Sequence, residues 1–375
     1  MKFKIKTSYL LNNLIPVSKA VSRNVQMPVL TGIKFDVKKD TVVLSATNNS
    51  ELSIQAKLQA NEDLIIEETG TTVISANVLL NLIKKIEEKW LNFSLFEEKT
   101  LKIYNEKGNY SINQFDPEYF PNISFTTSDK KLSLSTVVFK DIIKKATIAA
   151  SERLGDGVLT GVNLTVDNKK VIFSATDSYR LSRKIIDQTD ELEDISVVIP
   201  AKSLEEVGRI LEDEKGKVEL FFKPSNVIIK YKNIHIKLTV IEGKYPKTDV
   251  FIPKKYTNGF VVKRSDLLAT IERMNIFIES DSSKMIKIQL NNQKVLEFNS
   301  STTETGGAQE KLEPIEVDND TPFIVAFSAK YFHEAIKIFD GELISLKYTG
   351  EVKPFVFTSE GDENFIHLVL PMRRP

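Results

Sequence analysis

The chain has 375 residues, a length that suggests two or three domains rather than one. Its 51 Lys plus Arg balance 51 Asp plus Glu, which excludes a uniformly basic nucleic-acid binder and leaves uneven placement of charge as the only route to such a role. With no cysteine and three histidines (His235, His333, His367), disulfides, thiolate metal sites and cysteine nucleophiles are excluded, and neither a metal nor another cofactor is expected.

In chain order, the first expected element is a helix over 7–21, where Leu10, Leu11, Leu14 and Ile15 recur at helical spacing. Strands 33–37 and 42–45 follow around the polar turn Lys38-Lys39-Asp40. A second helix, 76–88, starts behind Ser75 and carries Val78, Leu79, Leu82, Ile83 and Ile86. Strands 90–96 and 101–112 close the stretch. The same succession returns as helix 135–150 (Ile142, Ile143, Ala146), strands 162–166 and 171–174, helix 201–212 behind Pro200 (Leu204, Val207, Ile210, Leu211), and strands 217–223 and 227–240. It returns again as helix 264–279, strands 286–290 and 295–299, helix 329–340 behind Ser328 (Phe332, Ala335, Ile336, Phe339), and strands 343–348 and 355–370.

The recurrence is visible in the letters. Residues 28–52 align without a gap on 157–181: Val29-Leu30-Thr31-Gly32 matches Val158-Leu159-Thr160-Gly161, and Ser45-Ala46-Thr47 matches Ser174-Ala175-Thr176. A fainter copy at 285–301 sets Ser301 against Thr176, and the connecting stretches 115–121 and 241–246 also match. Three units result: 1–127, 128–253 and 254–375. The expected fold class is α+β, with two helices in each unit packed on antiparallel sheets.

Three such units, the run Ala175-Thr176-Asp177-Ser178-Tyr179-Arg180-Leu181, the pair Tyr245-Pro246 and the ending Leu370-Pro371-Met372-Arg373 together resemble the bacterial DNA polymerase sliding clamp family, the beta subunit of the replicative polymerase. The resemblance covers the whole chain. It implies a DNA clamp fold that closes head to tail into a dimeric ring around double-stranded DNA, helices inside and sheets outside. It further implies a non-catalytic processivity role, with a polymerase subunit, the clamp loader and repair proteins held through short peptide motifs.

Carried over residue by residue, the implied peptide groove comprises Leu159, Thr176, Ser178, Tyr179, Arg180, Leu181, Pro246, Phe251, Val352, Pro354, Leu368, Leu370, Pro371, Met372 and Arg373, with Arg180 or Arg373 donating to the peptide. Two positions depart from the family pattern: Ser178 replaces a common Gly, and Val250 replaces a common Arg. For the homodimer, Arg273, Ile276 and Phe277 of the third unit are expected against residues 76–110 of the first.

Sliding demands cations without base readout, because phosphate contacts carry no sequence information. From Met1 to Phe35 there are six basic residues and no acid. Lys19, Arg23, Lys140, Lys144, Lys202, Lys330 and Lys337 are the expected DNA contacts, with Lys140, Lys144 and Thr147 forming one polar stripe. Helix 201–212 runs against this trend, since Lys202 and Arg209 share it with Glu205, Glu206 and Glu212.

The alternative is a structural adaptor that binds peptide motifs but no DNA. A hydrolase built on Ser178 and His235 lacks an orienting carboxylate, Asp177 with Arg180 reads as a structural ion pair, and Gly306-Gly307 reads as a flexible loop. No apolar run is long enough for a membrane span, and the N-terminus lacks the apolar core of a leader, so a cytoplasmic location is expected.

Overall fold

Three pairs of helices form where the apolar stripes predict them: α1 (Thr7–Ser18), α2 (Ala76–Ile83), α3 (Thr136–Thr147), α4 (Ala201–Ile210), α5 (Arg264–Ile278) and α6 (Ala329–Lys337). The computed structural model describes residues 1–22, 26–97, 99–167, 169–187, 195–212, 215–278, 284–302, 306–318 and 322–372. Each helix buries one stripe, for example Leu204, Val207 and Ile210 on α4 and Phe332, Ala335 and Ile336 on α6. On α1 the stripe is Leu10, Leu14 and Val17, and Ile15 faces outward.

α1, α2, α3, α4 and α6 stop short of their expected ends, and residue 279, the expected end of α5, lies outside the described residues. After Ile83 the hydrogen bonds tighten (Lys85 N to Leu82 O, 3.0 Å), and the chain must then reach Lys89, whose carbonyl accepts from Thr7 N at 3.0 Å. That anchor aligns Trp90 opposite Lys6, so residues 84–89 serve the strand that follows rather than α2.

Among the described residues all strand pairing is antiparallel. One sheet orders Leu64–Glu68, Lys2–Lys6, Trp90–Phe96, Thr100–Tyr104 and Asn109–Asn113. An eight-stranded sheet orders Lys131–Ser135, Lys217–Phe222, Asn226–Tyr231, Ile234–Thr239, Leu52–Gln59, Thr41–Thr47, Gly32–Val37 and Gly70–Ser75. A nine-stranded sheet orders Ser196–Pro200, Gly161–Asp167, Lys170–Thr176, Arg180–Asp187, Phe365–Val369, Phe355–Ser359, Leu343–Tyr348, Asn258–Lys263 and Glu316–Val317. The last orders Gly306–Leu312, Leu296–Thr302, Met285–Leu290 and Phe323–Ser328.

Each large sheet therefore joins the final strand of one repeat to the strand that follows the Ala-Thr run of the repeat before it. Contacts accordingly gather into two compact units, Met1–Lys140 with Lys202–Val240 and Asp141–Ala201 with Ile241–Pro375. The long strands expected at 101–112, 227–240 and 355–370 are hairpins. Their turns are built on Asn105 Oδ1 (accepting from Gly108 N, 2.8 Å), on Lys232 at φ 50° and on Gly361 at φ 81°.

The pairing also corrects the gapless alignment at its end. Thr47 pairs with Ser53, but Thr176 pairs with Leu181, so the turn is one residue shorter in the second copy and Leu52 matches Arg180. The Gly of both Leu-Thr-Gly motifs is required by close approach: a Cβ on Gly32 would meet Val73 Cγ1 at 2.7 Å, and one on Gly161 would meet Val198 Cγ1 at 2.6 Å.

Cores are apolar and aromatic. Phe3 and Phe93 stack at 4.7 Å between centroids in the first unit. In the second, Phe323, Phe327, Phe332, Phe339, Phe355, Phe357 and Phe365 pack with α5 and α6.

Candidate functional site

The turn after Thr176 shapes a cleft of about 740 Å³ in the second unit. Asp177 Oδ1 accepts from Tyr179 N (2.9 Å) and Arg180 N (3.0 Å), and Thr176 Oγ1 accepts from Ser178 N (3.1 Å). These bonds hold Ser178 at φ 77°, a left-handed conformation that disfavours a side chain. Tyr245 braces the same turn, its hydroxyl accepting from Thr176 N at 3.0 Å; burial pushes that phenol up to about 12. The Tyr-Pro pair thus divides its work: Tyr245 supports the turn and Pro246 lines the cleft.

Leu159, Thr176, Ser178, Tyr179, Arg180, Leu181, Pro246, Phe251, Pro354, Leu368 and Leu370 all line this cavity. Leu181 and Leu368 also belong to a small core with Val356, so they form its floor. Leu370 is pinned by donating its N–H to Tyr179 O at 2.8 Å. Val352 is 84 % exposed and lies outside the lining. Pro371 and Met372 also lie outside it: Met372 N donates to Ala326 O at 2.7 Å, which lays the tail along strand Phe323–Ser328. Arg373 lies outside the described residues. The lining further includes Val250, Pro253, Thr349 and Lys353. Val250, one of the departures from the family pattern, flanks Phe251, and Lys353 lies between Val352 and Pro354, whereas Pro253 and Thr349 adjoin no residue drawn from the resemblance and had no signal in the sequence.

Arg180 is a wall of the cleft rather than a free donor. It is 4 % exposed, its Nε donates to Asp177 Oδ2 at 2.9 Å, its Nη1 pairs with Glu334, and its guanidinium lies 4.4 Å from the Tyr331 ring centroid. The ion pair read between Asp177 and Arg180 is present, with a third member on α6.

The expected DNA contacts differ in their freedom. Lys202 and Lys337 are exposed, with no ionic partner among the described residues. Lys19 lies 3.8 Å from Glu206, Lys144 3.0 Å from Asp340, and Lys330 3.4 Å from Glu152. Lys140 is half-buried on α3, and Arg23 is outside the described residues. Thr147 does not extend a polar stripe with Lys140 and Lys144; it is buried, with its hydroxyl on Ile143 O at 2.9 Å. Lys145 is buried as well, held by Asp141 and Asp362 at 2.6 Å each. Burial works against its charge, but the two carboxylates outweigh it and raise its pKa.

Arg273 forms a forked pair with Glu310 (2.6 and 2.5 Å), Ile276 is 69 % exposed, and Phe277 is half-buried, all toward the end of α5. Glu310 lies on Gly306–Leu312, the outermost strand of its sheet. Gly306 and Gly307 open that strand, paired with Thr302 and Ser301, and are not the loop expected for them.

His235 sits on an inner strand between Lys57 and Lys230; burial first, then those cations, lower its pKa. Among the described residues no cluster is suited to holding a metal, and no helix is long and apolar enough to cross a membrane.

Family models of the DNA polymerase III beta subunit match throughout: the N-terminal domain over residues 1–124, the central domain over 133–247 and the C-terminal domain over 249–373. The beta sliding clamp of Staphylococcus epidermidis strain ATCC 35984 is 30 % identical over 376 residues, covering 100 % of this chain and 99 % of the relative. That of Staphylococcus aureus strain Mu50 is 29 % identical over 377 residues, with the same coverage. The solved DNA polymerase sliding clamp of Bacillus subtilis superposes at a TM-score of 0.94 with 26 % identity, and the beta chain of Streptococcus pneumoniae at 0.95 with 25 %, each over 100 % of both chains. The Pseudomonas aeruginosa sliding clamp bound to griselimycin shares the fold at 0.92 and 19 % identity, again over 100 % of both chains.

Proposed function

The chain belongs to the bacterial DNA polymerase III beta subunit family, the sliding clamps, and from that premise we propose that two copies close head to tail around duplex DNA and hold a polymerase through the cleft at Tyr179 and Leu370. The role is that of a non-catalytic processivity factor in the cytoplasm, and the repeat boundaries near residues 127 and 253 are part of the same proposal. The clamp loader and repair proteins share the cleft through short peptide motifs.

The observation that carries closure is the recurrence of one strand pairing. Leu52–Gln59 pairs with Ile234–Thr239, setting Leu52 opposite Leu238; Arg180–Asp187 pairs with Phe365–Val369, setting Arg180 opposite Val369. Two matching strands are left over at sheet edges, Gly306–Leu312 of the third repeat and Asn109–Asn113 of the first. Unpaired edges are a liability unless covered. One chain supplies one edge of each kind, so two chains satisfy both with two identical heterologous contacts. In the recurring register, Gly306 faces Ile112 of the partner subunit and Ala308 faces Tyr110 of the partner subunit. Exposed Ile276, together with Phe277 beside it, supports the same contact from α5.

The chain has no cysteine, so the variant Ala308→Cys/Tyr110→Cys tests the register on a clean background. Oxidation is expected to give covalent dimers, and light scattering of the unmodified protein a mass of two chains; a monomer at micromolar concentration overturns closure. Loaded protein should stay on closed circular DNA and be lost when the circle is cut. An adaptor would do neither. Calorimetry with a Gln-x-x-Leu-Phe-type peptide tests the cleft: removal of residues 370–375 should abolish binding, because Leu370 and its bond to Tyr179 go with it. Equal affinity of the shortened chain assigns the groove elsewhere.

A further inference from the structure

A second cleft, of about 820 Å³, lies in the first unit, lined by Lys19, Lys202, Glu206 and Arg209 among other polar residues. Its charged lining is three cations, Lys19, Lys202 and Arg209, and three carboxylates, Glu51, Glu205 and Glu206, of which Glu206 pairs with two of the cations. One carboxylate oxygen of Glu206 pairs with Arg209 Nη1; the other, Oε2, lies 3.8 Å from Lys19 Nζ, too far for a hydrogen bond. Oε2 is buried with no hydrogen-bond partner among the described residues. A carboxylate oxygen in that condition is costly and needs a reason.

The repeat supplies one. Pro200 and Ser328 precede their helices at matching positions, so Glu206 on α4 matches Glu334 on α6. Glu334 is consumed structurally by Arg180. The residue matching Arg180 in the first repeat is Leu52, which offers no cation, so Glu206 turns to the cations of the cleft instead. It takes the place a phosphate would take between Lys19 and Arg209.

We infer that Glu206 is an internal phosphate surrogate that sets the strength of non-specific backbone contact: it keeps Lys19 and Arg209 occupied, leaving Lys202 as the readily available cation of this cleft among the described residues. This rests on the DNA-encircling reading. A slider benefits from weak contacts, and each cation withheld from phosphate removes about 0.9 from the salt slope of binding.

The test is fluorescence anisotropy of the full dimer with a short labelled duplex across a salt series. Glu206→Gln should bind on the order of tenfold tighter at low salt and steepen the slope by about 0.9 for each cation freed. Glu212→Gln, which removes a carboxylate paired with Lys232 near the same helix, should leave the slope unchanged. In a Lys19→Gln/Arg209→Gln background, Glu206→Gln should have no effect. Thermal melting confirms folding, and Glu206→Ala repeats the measurement if the first variant melts early. Weaker binding by both Glu206 variants, or an equal gain from Glu212→Gln, overturns the inference and leaves the DNA reading standing. A wild-type protein with no salt-dependent binding removes the DNA reading itself, and the inference with it.

Discussion

The turns after Thr47 and after Thr176 are two uses of one backbone device. In each, the Thr hydroxyl accepts from the N–H two residues on (Asn49, 2.9 Å; Ser178, 3.1 Å) and donates to the carbonyl that ends the turn (Leu52, 3.3 Å; Arg180, 2.6 Å). In each, the next side chain, Asn48 or Asp177, gathers the following N–H groups. Each has one residue at positive φ, Asn49 at 59° and Ser178 at 77°. The first turn then ends on Leu52 and lines a polar cleft, while the second ends on Arg180 and lines an apolar one. Short-range hydrogen bonds to the backbone fix the turn, which frees the remaining side chains to differ in role.

The largest expected break between the two concerns charge. Arg180 is buried with Asp177, while Glu51 is exposed and reaches Ser203 Oγ at 3.3 Å. Arg180→Ala leaves Asp177 buried without its cation and should cost about 3–5 kcal/mol. Glu51→Ala should cost about 0.5 kcal/mol or less. Urea denaturation of each variant measures the difference; equal losses would mean that the two turns are locked alike.

The strands beneath the turns sharpen the contrast. His367 faces Ser182 across the second junction, at the place where Ile236 faces Ile54 across the first. His367 is fully buried, and neither ring nitrogen has a hydrogen-bond partner among the described residues. Burial, with Arg180 adding to it, pushes its pKa down to about 3. The folded state therefore binds fewer protons than the unfolded chain between the ordinary histidine value and about 3. Stability from this group is unaffected above the ordinary value and falls as pH drops below it, by up to about 1.4 kcal/mol per pH unit. Melting curves from pH 7 to pH 5 should show that decline, and His367→Leu should flatten it. An unchanged pH profile in the variant would locate the acid sensitivity elsewhere.

Helix stripes and the repeat were legible because they depend on spacing that a single chain displays. The apolar faces of α3, α4 and α6 match the expected residues, and the sheet strands nearest the Leu-Thr-Gly motifs were legible from the polar turn between them, Lys38-Lys39-Asp40 in the first repeat, and from its recurrence. The strands between 51 and 75 were not found, because Leu52–Gln59 mixes Ser, Gln and Lys into a strand whose partner, Ile234–Thr239, is far along the chain. The burial of Lys145 was hidden for a related reason: beside Asp141 on its own helix, its second carboxylate, Asp362, comes from another repeat. The cleft residues came from the resemblance. What periodicity could not disclose was that Arg180 would be locked by Glu334, which lies on a helix of the next repeat.

The smallest expected effect tests the turn itself. A non-Gly residue in the left-handed region costs about 1–2 kcal/mol, and Asn bears it more easily than Ser because its short amide bonds locally. Ser178→Gly removes that strain at 77° but gives the unfolded chain more freedom, worth about 0.5–1 kcal/mol in the other direction. The net expectation is stabilisation of up to about 1 kcal/mol. Asn49→Gly, at 59°, has less strain to relieve and should be neutral or slightly destabilising. Ser178 also lines the cleft, so its removal should widen the approach beside Tyr179 without touching the bonds from Asp177, which go to backbone groups. Paired urea midpoints for the two variants read the strain, and peptide calorimetry on Ser178→Gly reads the approach. If Asn49→Gly stabilises as much as Ser178→Gly, the strain belongs to the turn geometry common to both repeats rather than to serine in the second.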